Sequence, residues 1–284
     1  MGIESAIPTR RISFSEGLEL LPKHFADDDL ITSHFVAALS SVFPDGEDFF
    51  VRSVRHYRDQ ITDPDLRKAM NGFIGQESVH GREHRELNAR LADLGYPTHR
   101  NERFVRRGLE FRSRVAPPIS NLAVTAALEH FTATLAEQAM TDPAAAAMPG
   151  HPLVEGLLLW HALEESEHKA VAFDVYRTVG GSERLRIMTM RFTRYGFMVG
   201  TALQVLVSLL GDRRTYRRGE LRRSWRRFRR TPVFSPVVRE RLREYERVGF
   251  HPNDRDNTEL VAYWRAELFG SDGSLTDRLT GVAA

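Results

Sequence analysis

Four stretches of this chain carry apolar residues at alternating spacings of three and four, and each stripe is interrupted near its middle by carboxylates or imidazoles. That rhythm is one face of a helix. The stripes run Phe43, Glu47, Phe50, Val54, Tyr57, Ile61; then Leu66, Met70, Phe73, Glu77, His80, His84, Leu87, Leu91, Leu94; then Ile119, Leu122, Ala126, Glu129, Ala133, Ala136, Met140; and finally Val154, Leu158, His161, Glu165, His168, Ala172, Val175, Val179. Burying an unpaired carboxylate costs several kcal/mol, so each stripe is tolerable only if something positive meets its polar centre. The interruptions therefore constrain the fold more than the apolar residues do.

Set side by side, they are Glu47, Glu77-x-x-His80, Glu129 and Glu165-x-x-His168: two lone carboxylates and two Glu-x-x-His pairs, one set per helix. Four helices carrying that set can hold two metal ions between them. Spacing supports this. Glu47 and Glu77 lie 15 residues before and after Thr62, and Glu129 and Glu165 lie 18 on either side of Ala147, so two antiparallel hairpins bring the ligands level. Four carboxylates also balance two divalent cations. His161, one turn before Glu165, is expected to be a further ligand. His84 and Glu164 are expected to support the ligands from behind, and an antiparallel pairing of the second and fourth helices puts His84 and His161 on the same side of the site. His34, His56 and His130 fall off the stripes and are expected to be ordinary, and Glu83, Glu86 and Glu167 to be solvated or paired with arginines.

No stretch alternates in the manner of a strand, so the expected class is all-α. Helices are expected over 28–61 with a bend at Pro44–Gly46, over 64–94, over 118–140, and from the 141–150 loop through Tyr176, with a helical piece at 104–115 in the connection. The division is an N-terminal extension at 1–27, poorly structured around Pro8, Gly17 and Pro22, a four-helix bundle at 28–180, and a C-terminal helical extension at 181–284 packed on it. With no cysteine in 284 residues, disulfides, thiolate zinc sites and iron–sulfur clusters are excluded, which leaves His and carboxylates as the strong ligands. The first residues lack the apolar core of a secretory signal, so the expected location is cytoplasmic, with membrane association as an option.

The net charge of +2 hides an uneven distribution, because 213–230 holds ten arginines against one acid, Glu220. Just before it the helix expected over 182–210 ends in YGFMVGTALQVLVSLL, apolar except for Thr201, Gln204 and Ser208, and short of the roughly 20 residues that span a bilayer. Two readings follow: a helix buried against the bundle or a homodimer partner, or a peripheral membrane contact through 195–230. Nucleic acid is not favoured.

The six-residue pattern resembles the ferritin-like di-iron carboxylate superfamily, and the surrounding blocks FPDGEDFF, QESVHGREH, LEHFTA and WHALEESEHKAVAFDVY resemble a bacterial family described as predicted metal-dependent hydrolases. The resemblance covers most of 30–270. It implies a ferritin-like four-helix bundle with a dimetal core, extra C-terminal helices, and metal ligation by Glu47, Glu77, His80, Glu129, Glu165 and His168. His161-x-x-x-Glu165-x-x-His168 is also similar to the di-iron arylamine N-oxygenases, which implies His161 as a seventh ligand. Oxygen and imidazole ligands suit two iron ions, with manganese or zinc as alternatives. The expected activity is a non-haem di-iron oxidase or oxygenase activating O2, fed by an external electron donor. It would act on an apolar small molecule held beside Ala126, Ala133 and Ala136 and supplied along the 195–210 helix. The alternatives are a metal-dependent hydrolase using a metal-bridging hydroxide, and an iron-handling or membrane-associated interaction protein.

Overall fold

The computed structural model describes residues 7–280. Among them the chain is helical throughout, with one isolated antiparallel bridge, Ile12–Leu279, in place of any strand. The stretch expected as one bent helix is two: α1 (Leu30–Ser40) and α2 (Phe43–Arg55). The break falls at Ser41–Val42 because Pro44, which has no N–H, belongs in the first turn of a helix and not in its interior. Next comes α3 (Pro64–Asp93), started by Pro64 and by Asp63, whose side chain accepts from Asp65 N. The connection is more regular than expected, as α4 (Thr98–Val115), and leads to α5 (Pro118–Thr141). A single turn, α6 (Pro143–Ala146), precedes α7 (Pro152–His168) and α8 (Val171–Thr178). Here the expected unbroken helix is interrupted at Lys169–Ala170, where Asn257 Nδ2 hydrogen-bonds the Ser166 carbonyl and Lys169 Nζ reaches the Arg255 carbonyl. The rest is α9 (Glu183–Leu210), α10 (Glu220–Phe228), α11 (Pro236–Glu244) and α12 (Thr258–Phe269).

Helix α2 packs along α3 and α5 along α7, while α2 also meets α5 and α3 meets α7 and α8, which closes a ring of four helices. The stripes face inward. Above and below their polar centre lie two apolar clusters, one built on Phe49, Phe50, Val54, Phe73, Leu122 and Val175, the other on Leu87, Leu91, Val154, Leu157, Trp160 and Leu163. Each large side chain buried there contributes about 1.5–3 kcal/mol, enough to carry a thin polar layer between them.

Of the lead-in expected to be poorly structured over 1–27, residues 1–6 lie outside the described ones, and the rest is part of this core. Ile12 and Phe14 are buried, Phe14 stacks 5.6 Å from Trp160, and Ser13 N donates to the Arg278 carbonyl. Its stability comes from long-range contacts, which local periodicity does not report. The C-terminal helices lie on the bundle, α9 against α5 and α1, α11 against α5, α12 against α7. Helix α9 is long and apolar enough to cross a membrane by length and composition, yet only 17% of its most apolar window is buried, so it is not the interior helix that one reading expected.

Candidate metal centre

At mid-height the four stripes deliver their polar residues to one point. Glu47, Glu77, His80, Glu129, His161, Glu165 and His168 are all at most 3% exposed. His168 Nε2 lies 3.1 Å from Glu77 Oε1, 3.3 Å from Glu129 Oε2 and 3.6 Å from Glu165 Oε1. His80 Nδ1 lies 3.8 Å from Glu77 Oε1 and 3.9 Å from Glu165 Oε1. His161 Nε2 lies 3.0 Å from Glu165 Oε1 and 3.7 Å from Glu47 Oε1. Two groups of potential ligands emerge, Glu47–Glu77–His80 and Glu77–Glu129–His168, joined by Glu77, while His80, His161 and Glu165 form another on the same centre.

Both oxygens of Glu47, Glu77 and Glu129, with His80 Nδ1 and His168 Nε2, have no hydrogen-bond partner among the described residues although all are buried. Native interiors rarely leave such groups orphaned, and a concentration of them at one point marks a place where a cation belongs. The electrostatics agree. Burial pushes Glu47 well above the usual carboxylate range, and Glu77, Glu165 and Glu129 push it further. Glu129 is raised well above that range by burial and by Glu165 and Glu77, and Glu77 is raised by burial. Burial acts the same way on Glu165, but the hydrogen bond with His161 and the nearby His168 imidazole outweigh it and hold this carboxyl low. Burial depresses His80 and His84 well below the ordinary imidazole value, so both are neutral and can act as ligands or acceptors.

Each imidazole that points inward is held from behind by its other nitrogen. His80 Nε2 meets Glu164 Oε2 at 2.9 Å, and Glu164 in turn accepts from Arg10 Nη1 at 2.8 Å. His168 Nδ1 donates to Gln76 Oε1 at 2.8 Å, while Gln76 Nε2 donates to Glu167 Oε2 and the Pro8 carbonyl. Arg10 also binds Glu167, so one guanidinium anchors the groups behind two candidate ligands, His80 and His168. His161 Nδ1 lies 2.8 Å from His84 Nε2. Such outer partners fix the tautomer and the ring orientation of a metal-binding histidine.

His84 and His161 thus meet on one side of the centre, and Glu164 stands behind His80. Glu167 is paired with arginines as expected, through Arg10 and Arg265, but it is buried and tied to the centre. Glu83 is likewise buried, accepting from Phe14 N and Arg82 Nε. His34 and His130 lie away from the centre, against Asp212 and the Arg241 carbonyl. Gln76 and Arg10 are absent from the sequence-derived set. Gln76 sits one residue off its stripe, and Arg10 lies in the lead-in, where nothing periodic marks it.

An apolar cavity of about 120 Å³ opens onto His161 and Glu165. Its walls include Phe35, Phe43, Leu135, Ala136, Ala139 and Phe197, and Thr132 Oγ1, also on the lining, hydrogen-bonds Glu165 Oε2. Of the alanines expected beside the substrate, only Ala136 lines this cavity. Ala126 packs into the core with Phe49 and Phe73, and Ala133 faces a separate polar cleft with His130, because the side of α5 that meets the cavity is the one carrying Thr132, Leu135, Ala136 and Ala139.

Neither the curated proteins nor the solved structures include one that matches this chain. A family model does match, over residues 8–256, a span that takes in Arg10, all seven centre residues and the Arg-rich segment. The chain belongs to the family described as predicted metal-dependent hydrolase.

Proposed function

We propose that the chain is a two-metal hydrolase in which Glu47, Glu77, His80, Glu129, Glu165 and His168 would hold the ions, Glu77 being common to two of the ligand groups, and His161, on the cavity side, would be a seventh ligand. The observation that carries this reading is the convergence of fully buried carboxylate oxygens and imidazole nitrogens that have no other partner. Family membership supports metal-dependent hydrolysis as the reaction class. Bound divalent ions supply Lewis acidity and make water a nucleophile at neutral pH. The protein contributes the rest. The apolar cavity binds the non-reacting part of a substrate and excludes bulk water, Thr132 orients Glu165, and Glu164, Gln76 and His84 lock the ligand rings. The substrate class is an apolar small molecule carrying a hydrolysable carbonyl or phosphoryl group.

A second reading, an O2-activating di-iron oxidase, is favoured by one observation: the cavity that meets the centre is apolar almost to the ligands and offers no lysine, arginine or aspartate to stabilise a leaving group. A metal-exchange experiment separates the two. Turnover of apolar esters by protein loaded with redox-inert zinc supports hydrolysis, whereas activity confined to reduced, iron-loaded protein consuming O2 supports the second reading. Protein that retains no metal in either form defeats both.

A further inference from the structure

From Phe192 to Leu210, about 27 Å of helix at 1.5 Å per residue, the outer side of α9 carries no charge. Phe192, Tyr195, Val199, Leu203, Leu206 and Leu210 follow one another at spacings of three and four, and all are between 52% and 74% exposed. Large exposed apolar stripes mark an interaction surface. What flanks this one identifies its partner. Immediately after α9, Arg213, Arg217, Arg218, Arg222, Arg226 and Arg229 are exposed and form no ion pair among the described residues, and Tyr216, Leu221 and Trp225 are exposed between them. Exposed arginines also stand at the other end of the stripe, at Arg184 and Arg191. A second copy laid on α9 would meet like charge in either orientation, parallel or antiparallel. A surface of anionic lipid meets complementary charge at both ends of the stripe and apolar surface between them.

We propose that α9 and the Arg213–Arg230 segment together form a peripheral membrane-docking face, with the apolar stripe of α9 sunk into the boundary between headgroups and acyl chains and the arginines on anionic headgroups. Helices that combine such a stripe with flanking basic residues lie in the interface plane. This docking does not depend on the metal centre. Phe197 on the inner side of α9 and Val233, three residues past Arg230, do line the cavity that reaches Glu165. On the reading of that site as an enzyme of apolar substrates, the face would deliver acyl chains from the bilayer.

The test is co-sedimentation of the full chain with phosphatidylcholine vesicles with and without phosphatidylglycerol, at low and high salt. Binding is expected only with phosphatidylglycerol and is expected to weaken as salt rises. Arg222→Ser with Arg226→Ser should weaken it about 25-fold. Leu203→Glu with Leu206→Glu should abolish it, with the helical circular dichroism and the melting temperature unchanged because these side chains touch solvent. Brominated lipid should quench the fluorescence that Trp225→Phe removes. Absence of binding at low salt overturns the proposal, as does binding that neither double variant alters. So does a lipid-free dimer that Leu203→Glu with Leu206→Glu dissociates, which would make the occupant a second copy.

Discussion

His84 Nε2 accepts the hydrogen bond that His161 Nδ1 donates, and the direction is fixed by the groups behind them. Asn88 Nδ2 gives its protons to the Ser40 carbonyl and to Glu102 Oε1, so Asn88 Oδ1 faces Ser40 and accepts the Ser40 hydroxyl proton. Ser40 Oγ must then accept from His84 Nδ1, which leaves His84 Nε2 as the acceptor toward His161 Nδ1, while His161 Nε2 lies 3.0 Å from Glu165 Oε1. One serine thus sets the tautomer of a ring two residues away in the chain of contacts. Replacing His84 by Ala should lower metal affinity about 10- to 100-fold, whereas Ser40→Ala should cost less because His84 remains. Chelator competition measured on both variants checks the order, and equal affinity in all three proteins would remove His84 from this role.

Glu47 makes a prediction whose sign depends on the metal. In metal-free protein its carboxyl is held well above the usual range by burial and by Glu77, Glu165 and Glu129. A folded-state pKa raised above the unfolded value contributes stability that is complete below the unfolded value and is lost as pH rises through the folded one. Metal-free protein should therefore gain stability as pH falls from 7 toward 5. Glu47→Gln should raise the melting temperature of metal-free protein, by on the order of 1–2 kcal/mol in stability, and should lower that of metal-loaded protein, since a proposed ligand is gone. Thermal melts with and without chelator read both signs.

The stripes made the ring of four helices and its seven centre residues legible, because helical spacing and buried charge are both local signals: Glu77, His80 and His84 announce themselves by interrupting Phe73 and Leu87. What stayed hidden depends on contacts between distant segments. Arg10 and Glu164 are 154 residues apart, and nothing near Arg10 distinguishes it from Arg11, whose carbonyl and not its side chain is engaged, by Thr280 N. The break at Lys169 is hidden for the same reason, since it is made by Asn257 and Arg255. The exposure of α9 was open because an apolar run reads alike whether it faces a core or a membrane.

Arg10 is the strongest of the hidden residues. Its guanidinium, with 9% of the side chain exposed, binds Glu164 and Glu167, and burial pushes Glu164 up to about 8 even beside it. Arg10→Gln leaves both carboxylates buried with only Arg265 nearby, on Glu167, and should destabilise the fold by about 3–5 kcal/mol. Adding Glu164→Gln replaces one of the two stranded carboxyls by an amide that can donate as well as accept, and should recover part of that stability. It should not restore metal affinity, since an amide in place of Glu164 backs His80 less firmly. Urea unfolding midpoints and metal titration of the single and double variants separate the two effects. A double variant with wild-type affinity would mean that Arg10 acts on the fold alone.

The cavity gives a prediction about substrate size. Ala139 lines it together with Ala136 and Phe197 but makes no contact that the ligands rely on, and a cavity of about 120 Å³ has room for several methylene groups and little more. Ala139→Phe would occupy much of that space. It should leave metal content and the melting temperature close to wild type, since the new ring enters a void lined by apolar groups and displaces no packed side chain. Turnover should then fall with the length of the substrate's apolar portion. An extra buried methylene is worth about 1–3 kcal/mol in such a pocket, so the longest substrates should lose on the order of 10- to 100-fold in kcat/KM while the shortest lose little. A uniform loss across a homologous series would place the substrate elsewhere, on the polar cleft beside His130 and Lys169, and would separate the cavity from the chemistry of Glu165 and His161.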